Sequence, residues 1–208
     1  NNSELLNGIY GENVSIQVST KSKINENQKL VFVGYGNILP EEKINDYEGV
    51  DVRGKTVIVA IGGPKSINNH AFDDILLKIH NAEKQGAGGI ILFYPQGRLI
   101  QNLIFNYAHS YLTKSTLYYS DTSLHGSMSD FDLRLCVFAK RSFIQDIFNL
   151  KGLHFTKELR SIESGKIMSK ELDMSINCSY ATNIKRVNSK NIVSMIPGTD
   201  SILKNEFV

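Results

Sequence analysis

Serine and histidine side chains cluster near the middle of the chain and supply the residue types of a serine hydrolase. His109 is followed by Ser110, His125 precedes Ser127, and Asp121 lies between the two pairs. Such enzymes need a serine nucleophile beside a histidine base, and many present the serine in a Gly-x-Ser-x-Gly turn that this segment lacks. The pattern therefore favours a polar loop. A hydrolase built on His109 and His125 is the rival hypothesis.

Metal and phosphate chemistry have no matching motif in the sequence. The five histidines lack the His-Glu-x-x-His spacing, and neither cysteine belongs to a Cys-x-x-Cys or Cys/His cluster. The glycine turns at 34–36 and 62–64 match neither a dinucleotide fingerprint nor a P-loop. We therefore predict no catalytic residue, no metal ligand and no cofactor in this chain.

Three acids, Asp46, Glu48 and Asp51, lie close together in the sequence. Carboxylates grouped in this way can bind a cation. Acids in a turn-rich segment more often cap turns and pair with nearby basic residues. We favour the second interpretation, with Arg53 and Lys55 as the partners.

Tyrosines are concentrated between residues 94 and 119, among small polar residues. A tyrosine ring offers apolar contact area with a polar tip, and loops of this composition often make contacts. We predict that some of these tyrosines belong to the core. Tyr107, His109 and Tyr111 are predicted to form a surface that faces a substrate cleft or a partner.

Two apolar runs and the segment between them predict the central element of the fold. Residues 56–61 and 89–93 are continuously apolar, as in strands that are buried on both faces. A helix is predicted over about 69–85, and the following residues are predicted to form its inner face: Phe72, Ile75, Leu76, Ile79 and Ala82. Strand, helix and strand in this order predict a parallel βαβ unit with a right-handed crossover.

The remaining elements follow from periodicity and from turn residues. Strict alternation over 172–180 predicts a half-buried strand. Further strands are predicted at 13–19, 30–33, 116–119, 133–138 and 191–196. Helices are predicted at 142–150 and 156–163, the first with Phe143, Ile144, Ile147 and Phe148 inward. Residues 37–55 and 95–114 are predicted to be loops.

Composition limits the class of protein. Hydrophobic residues make up 41% of the chain and charged residues 21%, which is typical of a folded globular protein. The 23 basic and 21 acidic residues are interspersed, which argues against nucleic-acid binding. No apolar run approaches the ~18 residues of a membrane helix. Cys136 and Cys178 form either a disulfide or two buried thiols, and the size of the chain favours thiols.

Three motifs in a fixed order resemble a protease-associated domain. Residues 30–36 (LVFVGYG) and 45–55 (NDYEGVDVRGK) precede the first buried strand, and residues 85–93 (QGAGGIILF) follow the helix. In that family the helix ends in Gly-Ala and leads into an apolar strand. The resemblance implies that the following residues are structural motif positions: Gly34, Gly36, Asp51, Gly54, Lys55, Gly86 and Gly88.

The last eighteen residues, 191–208 (NIVSMIPGTDSILKNEFV), resemble the opening of the catalytic domain of zinc aminopeptidases related to glutamate carboxypeptidase and the transferrin receptor. In that family the first zinc ligands lie in a His-x-Asp motif beyond the position of Val208. This chain has no His-x-Asp. The resemblance therefore implies a segment without zinc ligands or the general-base glutamate, which does not catalyse by itself, and a parent peptidase that carries zinc.

Together these patterns predict an α+β protein with two parts. Residues 1–165 are expected to form a protease-associated β-sandwich or open barrel, with a βαβ unit and two flanking helices. Residues 166–208 are expected to form a strand pair that begins the missing peptidase domain.

The expected function follows from the resemblance. It is a non-catalytic module of a secreted zinc metallo-exopeptidase that borders the active-site cleft and shapes substrate access or protein interaction. The alternative is a stand-alone protein- or glycan-binding module. Expected partners are a peptide substrate or protein and the missing peptidase domain, without nucleic acid or a membrane span. The expected location is secreted, periplasmic or on the cell surface.

Overall fold

A computed structural model describes residues 5–17, 23–65, 75–95, 97–114, 133–166, 168–181, 183, 185, 187, 188 and 190. The strands are β1 (Val14–Gln17), β2 (Lys23–Phe32), β3 (Ile38–Leu39), β4 (Ile44–Asn45), β5 (Thr56–Ala60), β6 (Gly89–Phe93), β7 (Leu135–Ala139) and β8 (Lys170–Ala181). The helices are α1 (Ile75–Lys84), α2 (Arg98–Leu112), α3 (Arg141–Leu150) and α4 (Phe155–Glu163), with a 3-10 turn at Pro40–Glu42. The strands predicted at 116–119 and 191–196 lie outside the described residues.

Six of the strands form one curled sheet in the order β1-β7-β6-β5-β2-β8, and β3 pairs with β4 in a small hairpin. The four central strands are parallel, while β1 and β8 are antiparallel to their neighbours. The protein is therefore mixed α+β, as predicted. Within the described residues the curled six-stranded sheet is closer to the open barrel than to the sandwich. Four helices are present, because α2 joins the predicted βαβ helix and the two predicted flanking helices.

The predicted βαβ unit is present at the centre of the sheet. All five residues of β5 and all five of β6 are buried, and the two strands are parallel with Val57 opposite Ile90. Successive side chains point to opposite faces of the sheet, so a strand covered on both faces must be apolar throughout. α1 connects the two strands. Its predicted start lies outside the described residues.

Helices cover both faces of the sheet. On one face, Ile79 and Ala82 of α1 pack in a cluster that includes Val57 and Val59, with Leu112 of α2 against it. The opposite face carries α3 and α4. All four inward positions predicted for α3 are buried there, and α4 contributes Phe155, Leu159 and Ile162. Both predicted C-terminal helices are thus confirmed.

β8 follows the predicted alternation. Leu172 is buried, and Met174, Ile176, Cys178 and Tyr180 are half-buried against the core. β8 pairs with β2 in the same sheet as the rest of the fold. The proposed boundary near residue 165 stays a prediction. Cys178 and Cys136 are both free thiols, the favoured of the two alternatives.

Three predictions are wrong. In two segments the apolar residues show no obvious period, and in the third a lysine lies on the inner face of a helix. Residues 37–55 include the β3–β4 hairpin and bury Leu39, Tyr47 and Val52, so they are more than a surface loop. Residues 98–112 form α2 instead of a loop. On α1, Leu76 is exposed, because the inner face turns Lys78 towards the core.

Candidate functional site

The outer face of α2 exposes a row of large side chains. Leu103, Tyr107 and Tyr111 are 71%, 76% and 61% exposed. Residues four apart lie one above another on a helix, so the three side chains form one continuous strip. We refer to Leu103, Tyr107 and Tyr111 as the α2 stripe.

The opposite face of α2 explains why the stripe is exposed. Phe105 is buried, and Ala108 and Leu112 pack against the apolar cluster on the sheet. Burial of this inner face fixes the rotation of the helix and leaves the stripe to solvent. Two tyrosine hydroxyls and one leucine on a rigid helix suit contact with a peptide or protein, since tyrosine combines apolar area with a hydrogen-bonding tip.

His109 is not part of this surface. Two residues along a helix correspond to a rotation of about 200°, so His109 points away from both Tyr107 and Tyr111. Its Nδ1 lies 3.0 Å from the Ser15 hydroxyl oxygen on β1. Its ring meets Tyr10 edge-on, with ring centres 5.1 Å apart. The predicted grouping of Tyr107, His109 and Tyr111 is therefore divided between two faces of α2.

The Ser15–His109 contact has the residue types of a nucleophile and a base. Ser15, however, is fully buried, so its hydroxyl cannot approach the carbonyl of a substrate. The Phe105 ring stacks parallel to the imidazole, with ring centres 6.2 Å apart. The contact therefore fixes α2 against β1. The other members of the hydrolase hypothesis, Asp121 and His125, lie outside the described residues.

A second polar assembly lies at the carboxyl ends of β2 and β5. The ammonium group of Lys78, a fully buried residue of α1, donates to Tyr35 O at 2.8 Å, Asn37 Oδ1 at 2.7 Å and Gly62 O at 2.9 Å. Asp46 accepts a hydrogen bond from the Asn37 backbone N–H at 2.9 Å. We call Tyr35, Asn37, Asp46, Gly62 and Lys78 the Lys78 cluster. It joins the turn after β2, the end of β5 and helix α1.

Burial controls the electrostatics of the Lys78 cluster. It raises the pKa of Asp46 to about 6, against the opposing effects of the Asn37 N–H and the Lys78 charge. Burial also raises the pKa of Tyr47, and the Asp46 charge adds to this. The Tyr47 hydroxyl is buried and has no hydrogen-bond partner within the described part of the chain. Sequence reasoning missed this cluster, because a helical lysine normally lies in solvent.

The acids singled out from the sequence are divided between the interior and the surface. Asp51 accepts from Arg53 N at 3.2 Å and pairs with Arg53 Nε at 2.9 Å, as favoured. Lys55 pairs instead with Glu171 of β8, at 2.8 Å. Asp46 belongs to the Lys78 cluster. Among the described residues, no group of three or more His, Cys, Asp or Glu is arranged to hold a metal ion.

The glycines of the predicted structural motif lie in turns around the sheet. Gly36 has φ of 64°, and a side chain there would meet Val59 and the Tyr47 hydroxyl. A Cβ on Gly88 would come within 2.7 Å of Gln28 Nε2, so a larger residue there requires the Gln28 side chain to move. Positive φ also occurs at Gly34, Gly54 and Gly86.

No model of a protein family matches the chain, and no curated protein matches it. The helices that the structure describes include none long and apolar enough to cross a membrane.

Proposed function

We propose that this chain is a non-catalytic binding module, the protease-associated segment of an exported zinc exopeptidase, and that its α2 stripe contacts the peptide substrate or a protein partner. One observation carries the proposal. Three large side chains, Leu103, Tyr107 and Tyr111, stand exposed in a row on a helix whose other face is packed on the sheet. Exposed apolar side chains grouped in this way are typical of interaction surfaces.

The fixed position of α2 on the sheet supports a binding role for the α2 stripe. The helix is fixed by Phe105 beneath it and by the Ser15–His109 hydrogen bond to β1. A backbone that is already ordered loses little entropy when a ligand binds. The α2 helix, Arg98–Leu112, contains no acidic residue, and exposed Lys114 follows it. The surface is therefore compatible with a peptide that has apolar side chains and a free carboxylate.

The motifs that carry the resemblance lie at the ends of helices and strands. The glycine turn at 34–36 follows β2, and Gly86 ends α1 before the apolar strand β6. A module of this kind contributes binding and orientation, while a separate peptidase domain supplies the metal-activated water. We include that domain and its zinc in the proposal.

Peptide binding tests the surface directly. A fluorescent library of short unstructured peptides would be titrated with the chain and with a Tyr107→Ala/Tyr111→Ala variant. We expect binding to the wild type and at least a tenfold loss of affinity in the variant, because each tyrosine-to-alanine substitution removes a large contact area. Leu76→Ala is the matched control, since it removes an exposed apolar side chain from the neighbouring helix. Equal binding by wild type and double variant would contradict the proposal.

The link to a peptidase has its own test. The coding sequence that follows Val208 in the natural gene would be read. A strand continuing into His-x-Asp supports the zinc peptidase, whereas a gene without that motif leaves the α2 binding surface in place and removes the peptidase partner.

A further inference from the structure

The Lys78 cluster contains an amine and a carboxamide in direct contact inside the protein. Lys78 is fully buried and Asn37 is 2% exposed. The Lys78 amine donates to Asn37 Oδ1 at 2.7 Å. This hydrogen bond places the nucleophilic nitrogen of Lys78 beside the carbonyl carbon of the Asn37 side chain. The two residues are 41 positions apart in the sequence.

A carboxyl group lies next to this pair. Asp46 Oδ2 is 2.9 Å from the Asn37 backbone nitrogen, and the Lys78 charge acts on the Asp46 carboxyl. Because burial raises the pKa of Asp46 to about 6, this group can both accept and return a proton near neutral pH. Desolvation also activates a lysine amine as a nucleophile.

From this juxtaposition we propose that Lys78 and Asn37 form an intramolecular isopeptide bond, with Asp46 as the proton carrier. Asp46 first accepts one proton from the Lys78 ammonium. The neutral Nζ then attacks Asn37 Cγ, so that a new C–N bond forms and the Cγ–Nδ2 bond breaks. The Lys78 ammonium sheds two protons in becoming an amide nitrogen. Asp46 transfers them to Nδ2, which leaves as ammonium, and Asp46 ends unchanged. No oxidant, metal or cofactor is required.

Two features of the site favour this reaction. The other acceptors of Lys78, Tyr35 O and Gly62 O, lie at 2.8 and 2.9 Å and hold the amine in place. Side chains fixed in contact react far faster than the same groups free in solution. The bond would tie the turn after β2 covalently to α1. It would give the binding module a cross-link without a cysteine.

Intact-mass spectrometry of the denatured chain tests the proposal. We expect the wild-type mass to be lower than the sequence mass by one ammonia molecule, and a protease digest to contain one branched peptide that joins Asn37 and Lys78. A wild-type mass equal to the sequence mass, both after folding and after prolonged incubation at neutral pH, would overturn the proposal. This result does not depend on any variant folding.

Variants assign the roles. Asn37→Ala and Lys78→Arg should keep the full sequence mass because each removes one reacting group, and Asp46→Ala should do so because it removes the proton carrier. Asn81→Ala is the matched control: Asn81 is also buried on α1, and its amide donates to Gly36 O at 3.2 Å. This variant should still lose one ammonia. Loss of ammonia from Asp46→Ala at the wild-type rate would show that Asp46 has no part in the reaction and contradict the assigned step.

Discussion

Two helices on the same face of the sheet are attached to it in different ways. α1 inserts polar groups: Lys78 and Asn81 are buried and donate to carbonyl groups in the turns after β2 and β5. α2 packs through Phe105 and presents Leu103 and Tyr107 to solvent. α1 therefore carries three buried hydrogen bonds to turn carbonyls, whereas α2 carries the exposed α2 stripe.

This difference separates stability from interaction. Buried polar groups must be satisfied, so each contact of Lys78 constrains the fold and leaves little freedom for a ligand. Exposed tyrosines contribute little to folding and retain their contact area for a partner. We therefore expect substitutions on α1 to act on the free energy of unfolding, and substitutions on the α2 stripe to act on binding.

The largest effect should come from Lys78→Met, compared with wild-type chain that has not lost ammonia. Methionine keeps most of the apolar stem but removes the donor to Tyr35 O, Asn37 Oδ1 and Gly62 O. Gly62 O still accepts from Asn37 Nδ2 at 3.4 Å, whereas Tyr35 O and Asn37 Oδ1 lose this donor. Leaving a buried acceptor unpaired costs about 1–3 kcal/mol, so we expect a loss of roughly 3 kcal/mol in the free energy of unfolding. Urea denaturation measures it. A loss below about 1 kcal/mol would mean that α1 is not held by this residue.

The next effect is a pH dependence due to Asp46. Its pKa is about 6 in the folded chain, above its usual value of 3.8. Between these values the folded state binds more protons than the unfolded state, so stability present at lower pH is lost as pH rises towards 7. The expected loss is on the order of 2 kcal/mol between pH about 4 and about 7.

Asp46→Asn checks this assignment, because asparagine can still accept the hydrogen bond from the Asn37 N–H without titrating. Urea midpoints measured across the same pH range should show a clearly shallower decline for the variant. Identical pH profiles for the two proteins would assign the dependence to other groups.

A smaller effect is expected at the polar contact of α2. Ser15→Ala removes the hydrogen bond to His109 and should lower the free energy of unfolding by about 1 kcal/mol. The substitution leaves the α2 stripe chemically unchanged. Peptide affinity should therefore fall by less in Ser15→Ala than in the double tyrosine variant. An equally large fall in Ser15→Ala would show that binding depends on this contact.

The smallest effect on stability should come from the α2 stripe itself. Tyr107→Ala and Tyr111→Ala are surface substitutions, and each should change the free energy of unfolding by no more than about 0.5 kcal/mol. Thermal melts with Leu76→Ala as reference measure this. A loss above 1 kcal/mol for either tyrosine would indicate that the stripe packs against the fold.

Sequence patterns predicted the elements whose regularly placed apolar residues are buried. β5 and β6 are continuously apolar, and β8 alternates strictly along its length. α2 was missed because tyrosine, histidine and asparagine interrupt its apolar spacing, and Pro95 and Gly97 directly precede it. The period was nevertheless present, since Ile104, Ala108 and Leu112 recur every fourth residue.

The candidate site was only partly predictable. Tyr107 and Tyr111 could be chosen because exposed tyrosines favour contact, while His109 was wrongly placed with them in the absence of a helix assignment. The Lys78 cluster could not be predicted, because its partners lie 16 to 43 residues away in sequence. Only the parallel pairing of β2 and β5 brings their following turns together above α1.

The most direct test of a non-catalytic binding module with its surface on α2 is an NMR titration. The isotope-labelled chain would be titrated with a peptide selected from the library, in the presence of zinc, and the peptide mass would be followed throughout. We predict chemical-shift changes concentrated at residues 103–111 and an intact peptide at the end. Cleavage of the peptide, or shifts confined to other parts of the chain, would contradict the account.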